Sequence, residues 1–148
     1  MKIAEFPLTE EILQELIGMS ADWEMENSCH GYRTNERSDI EPNRIFLAKE
    51  GGETLGYLFG RTLVSHERSA VMPEQSRYFE LEELYVKPEY RSRGVGRALY
   101  EHAENAVRAE GCEYVMVATA TKDYRRILHF YIEEMGMDFW SARLFKKI

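Results

Sequence analysis

Apolar and polar positions change their period several times along the chain, and each change predicts an element. Residues 1–6 are short and mixed and predict a first strand. Ile12, Leu13, Leu16, Ile17 and Trp23 then recur at helical spacing, which gives a helix one buried face. Thr9 stands where an N-cap is needed, Glu10 and Glu11 lie at the positive end of the helix dipole, and Leu8 and Leu13 occupy hydrophobic-staple positions. Residues 29–43 are polar and aperiodic, with Gly31, Asn35 and Pro42, and read as a loop or short irregular helix. Two apolar segments follow, 44–49 and 54–64, separated by Glu50-Gly51-Gly52-Glu53, a hairpin signal. Residues 65–77 interrupt the pattern with polar side chains and Pro73. Residues 78–86 alternate and are rich in aromatic and branched side chains, a strand that Pro88 ends.

The second half carries the strongest periodicities. Val95, Leu99, His102, Ala103, Ala106 and Val107 share one face of a helix over 94–110. Arg97 with Glu101 and Glu104 with Arg108 are spaced for ion pairs on the other face, and Gly111 is placed to cap it. Residues 114–120 form a continuous apolar run of strand length, the mark of a strand buried on both faces and parallel to a neighbour. Residues 124–135 return to helical spacing and stop at Gly136, and 139–145 read as a last strand. The order predicts a mixed α/β (α+β) domain with a mostly antiparallel sheet and at least one crossover helix.

Length and charge narrow the class. The 148 residues fit a single domain over 1–148, and with 44% apolar side chains they can bury a core that offsets chain entropy. The net charge of −7 opposes binding to a phosphate backbone, so no nucleic-acid partner is expected. Cys29 and Cys112 are too few and too isolated for a disulfide framework or a zinc site and read as free thiols. No apolar run is long enough to span a bilayer, and charged residues occupy the N-terminus, so the expectation is a cytoplasmic protein without membrane association. The four histidines have no ligand spacing, and no metal site is expected.

One stretch departs from the acidic background. From Lys87 to Arg97 there are four basic residues, Lys87, Arg91, Arg93 and Arg97, against the single acid Glu89. The stretch joins a strand to a helix N-terminus through Gly94 and Gly96, where unpaired backbone N–H groups and a positive dipole end suit an anion. A phosphorylated ligand is implied. A dinucleotide fingerprint would need a third glycine where Leu99 stands, and a P-loop would need Gly-Lys-Ser/Thr. What the stretch does match is Arg/Gln-x-x-Gly-x-Gly/Ala, here Arg91-Ser92-Arg93-Gly94-Val95-Gly96.

With that motif the chain resembles the GCN5-related N-acetyltransferase (GNAT) family. The strand Leu81-Glu82-Glu83-Leu84-Tyr85-Val86 before it is similar to the family's acetyl-CoA strand, and Phe130-Tyr131-Ile132-Glu133-Glu134-Met135-Gly136-Met137 to its Phe-Tyr-x-x-x-Gly-Phe signature. The resemblance runs from the first predicted strand to the last. It implies a twisted, mostly antiparallel sheet of about six to seven strands flanked by helices. It also implies acetyl-CoA as cosubstrate, with its pyrophosphate on the amides of the turn Arg91, Ser92, Arg93, Gly94, Val95, Gly96 and Arg97. The pantetheine arm would lie along the main chain of Leu84, Tyr85 and Val86. Arg97 could equally pair with Glu101 at the surface. Many relatives carry an asparagine seven residues before the helix tyrosine, where this chain has Tyr124.

Acyl transfer to an amine needs a base for the amine's proton, donors for the oxyanion and an acid for the departing thiolate. Glu82 and Glu83 lie on the cofactor strand, and because side chains alternate they are expected on opposite faces. By position Glu82 resembles the glutamate that polyamine-acetylating relatives use through a water, and Tyr131 resembles the family's acid. A salt-bridged surface Glu82 and a core Tyr131 are the alternatives. The oxyanion donor is expected to be a backbone N–H near Tyr85 or Val86.

Residues 1–54 hold 12 acidic and 5 basic residues, and 55–148 hold 14 of each, so the whole excess of −7 lies in the N-terminal part. The family places acceptor specificity there and in variable loops, here 9–43 and 65–77. Trp23, Glu24, Glu26, Tyr32, Asp39 and Glu41 could supply a cation-binding wall. The reading is an N-acetyltransferase acting on a primary amine of a cationic small molecule. A protein or peptide acetyltransferase and a non-catalytic acyl-CoA-binding module are the alternatives, and homodimers are common among relatives.

Overall fold

The computed structural model describes residues 1–148. Strand β1 (Lys2–Phe6) leads to helix α1 (Glu10–Glu26), where Thr9 Oγ1 accepts from the Ile12 N–H at 3.2 Å, the cap that the sequence predicts. A single turn, α2 (Arg37–Ile40), interrupts the polar stretch before β2 (Arg44–Glu50) and β3 (Glu53–Val64). Gly51 and Gly52 both take positive φ, 57° and 81°, as a two-residue hairpin turn of the primed type requires. Then come β4 (Arg77–Val86), α3 (Val95–Ala109), β5 (Tyr114–Val117) and α4 (Tyr124–Leu128).

The sheet order is β1-β2-β3-β4-β5, antiparallel except for the parallel pair β4 and β5 that α3 connects. Two cores lie on its two sides. Phe46, Ala48, Leu58, Phe79 and Leu81 pack with Val95, Leu99, Tyr100, Ala103 and Val107 of α3. Ile45, Leu47, Tyr57, Phe59 and Tyr85 pack with Leu13, Leu16 and Met19 of α1 and Ile40 of α2. The near-unbroken apolar runs in β2 and β3 are thus explained: their side chains are buried on both faces. The Arg97–Glu101 and Glu104–Arg108 pairs form on the exposed face of α3, at 3.8 and 2.7 Å.

Three expectations are corrected. The sheet has five strands, not six to seven, because residues 139–145 form no strand; Phe139, Leu144 and Phe145 are exposed there. The apolar run at 114–120 pairs only as far as Val117, since β4 carries the extra residue described below and turns away. The helix expected over 124–135 is helical only to Leu128 and then widens into a π turn over His129–Glu134, with Met135 N–H donating to Phe130 C=O at 2.9 Å.

A bulge in β4 sets the geometry of everything that follows. Phe59 faces Glu83 and Gly60 faces Leu81, so Glu82 is one residue too many for β3. Phe79 and Leu81 therefore belong to the α3 side, whereas Glu83 and Tyr85, although of the same parity, stand across from Phe59 and Tyr57 on the α1 side. Strict alternation would have separated Glu82 from Glu83; the bulge undoes it, and Glu82 reaches Arg61, whose cross-strand partner is Glu80. Gly60 is required opposite the bulge, since a Cβ there would collide with the Glu80 carbonyl and come within 2.6 Å of the Phe79 ring.

Candidate active site

Pairing between β4 and β5 ends at Leu81 and Val117, so Glu82 to Val86 have a strand neighbour on the β3 side only. Lys87 N–H donates to Leu55 C=O on β3 at 2.9 Å. Alternation then directs the main-chain groups of Val86 and Leu84 to the open side, and those of Tyr85 toward β3. An extended ligand can add to that edge as a strand would. Val86 C=O already accepts from Arg91 Nε at 2.8 Å, which leaves its N–H and the groups of Leu84.

The open edge runs into the turn before α3. Ser92 and Gly94 take left-handed φ, 61° and 79°, and the first bond of the helix is Ala98 N–H to Gly94 C=O. The N–H groups of Val95, Gly96 and Arg97 have no partner within the helix, and no side chain caps it. A Cβ on Gly94 would meet nothing within 4 Å, while one on Gly96 would stand 3.8 Å from both Phe130 and Val86. Strand end, turn and π segment therefore converge on this point. The fit to a pyrophosphate-bearing ligand is good: free amides, a positive dipole end and open space above glycine.

The basic side chains divide by partner. Arg91 is turned inward, held by Glu26 of α1 at 2.6 and 2.9 Å and lying 5.4 Å over the Tyr85 ring. Lys87 pairs with Glu53 at 3.2 Å. Arg97 stands 3.8 Å from Glu101 and 3.9 Å from Glu134, loose pairs that a phosphate could replace. Arg93 has no carboxylate partner, lies over the Tyr90 ring and is exposed, as is Ser92. Val95 is a core residue, so its contribution to an anion is its N–H alone.

Tyr131 sits in the π turn, buried in the core cluster against which Leu84 and Val86 pack. Burial pushes its phenol well above the ordinary range, with neighbouring Tyr100 adding to the shift, so it stays protonated. Tyr124, at the position where relatives carry asparagine, is exposed with Arg125 over its ring.

The two strand glutamates differ in surroundings. Glu82 is 39% exposed and lies 3.4 Å from Arg61, at the place where β4 and β5 part. Glu83 accepts from Tyr57 at 2.8 Å, from Tyr32 at 3.3 Å and from Asn35 at 3.0 Å on each oxygen. Ser20 Oγ ties the network to α1, 2.7 Å from the Tyr32 hydroxyl and accepting from the Asn35 N–H at 2.8 Å. Burial raises the Glu83 carboxyl, and the three donors partly oppose it. Neither Asn35 nor Tyr57 is singled out by sequence reading, because they arrive from a loop and a different strand.

The N-terminal carboxylates that could supply an acidic wall have partners of their own. Glu24 accepts from Thr34, Glu26 holds Arg91, Asp39 pairs with Arg33 at 2.8 Å and Glu41 with Arg37 at 3.5 Å. Trp23 and Tyr32 do come together, their ring centroids 4.5 Å apart, with Tyr85 5.2 Å beyond Trp23.

A sheet opened by a bulge beside a glycine turn fits what the resemblance of the sequence implies, and comparison with known proteins agrees. The model of the acetyltransferase (GNAT) family matches residues 10–137, and the chain belongs to that family and is an N-acetyltransferase. A search of curated proteins finds no match. Among solved structures, a transcriptional regulator from Bacillus halodurans superposes with a TM-score of 0.72 at 19% identity, covering 99% of this chain and 100% of that one. An aminoglycoside acetyltransferase from an uncultured soil metagenomic sample, in complex with sisomicin, gives 0.68 at 18% identity, covering 99% and 95%. A second aminoglycoside acetyltransferase of such origin gives 0.70 at 20% identity, covering 100% and 99%. At these identities the likeness is one of fold. No helix is long and apolar enough to cross a membrane.

Proposed function

We propose that this N-acetyltransferase moves an acetyl group from acetyl-CoA to a primary amine of a cationic small molecule. The observation that carries the reading is the unpaired edge of β4 from Glu82 to Val86 leading into the uncapped first turn of α3. The aminoglycoside acetyltransferases that share the fold support a small, amine-bearing acceptor.

Acetyl-CoA, when bound, supplies the acyl group activated as a thioester. The amides of Val95, Gly96 and Arg97, with Arg93, hold the pyrophosphate, and Arg91 acts through the strand end that it clamps. The main chain of Leu84 and Val86 aligns the arm, and the free N–H of one of them donates to the carbonyl oxygen as charge grows there. Glu82, exposed at the parting of the strands, takes the proton that the attacking amine must lose, through water. Tyr131, kept protonated by burial, gives a proton to the sulfur as the C–S bond breaks. Glu83 has both oxygens engaged by donors and positions the α1–α2 loop instead.

The test measures free-thiol release from acetyl-CoA over a panel of polyamines, aminoglycosides and peptides. Thiol release with a cationic small amine is expected, and Glu82→Gln and Tyr131→Phe each lower kcat by about 100-fold while the KM for acetyl-CoA changes little. Full turnover by Glu82→Gln at neutral pH removes it as the base, and transfer to peptides alone removes the small-molecule reading.

A further inference from the structure

One cleft lies apart from the glycine turn and the Glu83 network, lined in part by the 65–77 loop. It has a volume of about 370 Å³ and opens on the face of the sheet that carries α1, at the end of β4 away from the glycine turn. Tyr78 and Glu80 of β4 and Met116 of β5 form its floor, Glu80 and Met116 being partners in the parallel pair. Glu67 and Met72 from the β3–β4 connection and Trp140 of the C-terminal segment also line it.

Glu80 is half-buried, and burial followed by the charge of Glu82 raises its carboxyl. Arg61 is the nearby cation, but its guanidinium is turned to Glu82. Glu80 is thus a half-buried acid without a hydrogen bond, in a cleft whose lining also holds the aromatic Tyr78 and Trp140 and a second carboxylate, Glu67. A cation seated there would supply the missing counter-charge and lie against aromatic faces. The pairing of Glu80 with Met116 is the last but one before the strands part, so the cleft adjoins the open edge. Three to four residues separate Glu80 from Glu83 and Leu84, or roughly 10 Å along a strand.

We propose that this cleft is the subsite for a second cationic centre of the acceptor, with Glu80 as its counter-charge and Tyr78 and Trp140 as aromatic walls, so that the substrate is a di- or polyamine. The inference rests on the transferase reading and names the acceptor class for it. The reacting amine sits at the bulge, and the distal one, two residues or roughly 7 Å along the strand, on Glu80.

The experiment compares thiol release with butylamine, with α,ω-diamines of graded length and with an aminoglycoside, for the wild type, Glu80→Gln and Trp140→Ala, with CoA affinity measured separately by calorimetry. The expected result is a kcat/KM for the best diamine at least about tenfold above that for butylamine, and a diamine KM raised about tenfold or more in both variants, the scale of one lost charged contact. The Kd for CoA should hold within about twofold in both variants, because neither residue touches the turn. Equal use of butylamine and diamines by the wild type, or an unchanged diamine KM in both variants, overturns the cleft while the transferase reading stands. No thiol release with any amine, from protein that still binds CoA, overturns the transferase reading itself.

Discussion

At the scale of single residues, charge and burial decide which of several equivalent side chains does what. Three glutamates within four positions of β4 meet three environments: Glu80 in a cleft, Glu82 beside Arg61 in water, and Glu83 among Tyr32, Asn35 and Tyr57. Burial and the charge of Glu83 hold the Tyr57 phenol far above its ordinary range, so it serves as a donor at any working pH. Replacing Glu83 by Gln puts an amide N–H₂ against these donors and is expected to cost about 1–3 kcal/mol of stability by denaturant unfolding. The pH dependence follows from the direction of the shift. A carboxyl raised in the folded protein binds its proton more tightly folded than unfolded, so its contribution is fully present below the unfolded value, near 4.5, and is lost as pH rises through the folded value. The stability difference between wild type and Glu83→Gln should therefore be larger below pH 4.5 than at about pH 7. A difference that grows with pH would mean that Glu83 is stabilised as the anion.

Among the elements, β4 does the most, and its bulge explains why. The extra residue ends pairing with β5, places Glu82 at the parting and moves Glu83 and Tyr85 to the α1 side. It depends on close approach of β3 at Gly60, where an added methyl would strike backbone and the Phe79 ring. Gly60→Ala is expected to lower stability by about 1–3 kcal/mol. It should lower kcat with it, since relief of the clash must push β4 outward. Measured unfolding midpoints and thiol release check both, and a variant of unchanged stability would show that the approach is not needed. The π turn acts similarly on the other side, seating Tyr131 in the core cluster of Leu84 and Val86.

For the whole molecule, a three-layer fold puts the uncapped glycine turn at one end of the open edge and a carboxylate-lined cleft at the other. Many of the N-terminal acids are engaged in ion pairs within the chain, such as Glu26–Arg91, Glu10–Arg37 and Glu5–Arg44. The C-terminal segment contributes Trp140 to the cleft yet exposes Leu144 at 95% and Phe145 at 81%. Deleting residues 139–148 is therefore expected to change folding stability by less than about 1 kcal/mol. It should raise the diamine KM as Trp140→Ala does. A loss of several kcal/mol would mean that the segment packs more tightly than its exposure indicates.

Periodicity was enough to read the first helix with its Thr9 cap, the Gly51-Gly52 hairpin, the helix after Gly94 and the crossover, because each is written in neighbouring residues. The glycine turn and its basic flank were legible for the same reason, since each lies in one short stretch, whereas Tyr131 was marked only by the resemblance of its segment to the family signature. Tertiary structure alone decided the rest. Whether Glu82 and Glu83 share a face depends on the length of β3 opposite them, whether Arg91 meets a ligand depends on Glu26, 65 residues away, and the strand expected at 139–145 lacks a neighbour to pair with. Local pattern reports on backbone preference and on which face is apolar. Ion pairing, register and sheet edges are relations between distant segments, settled only when the chain has closed around its core.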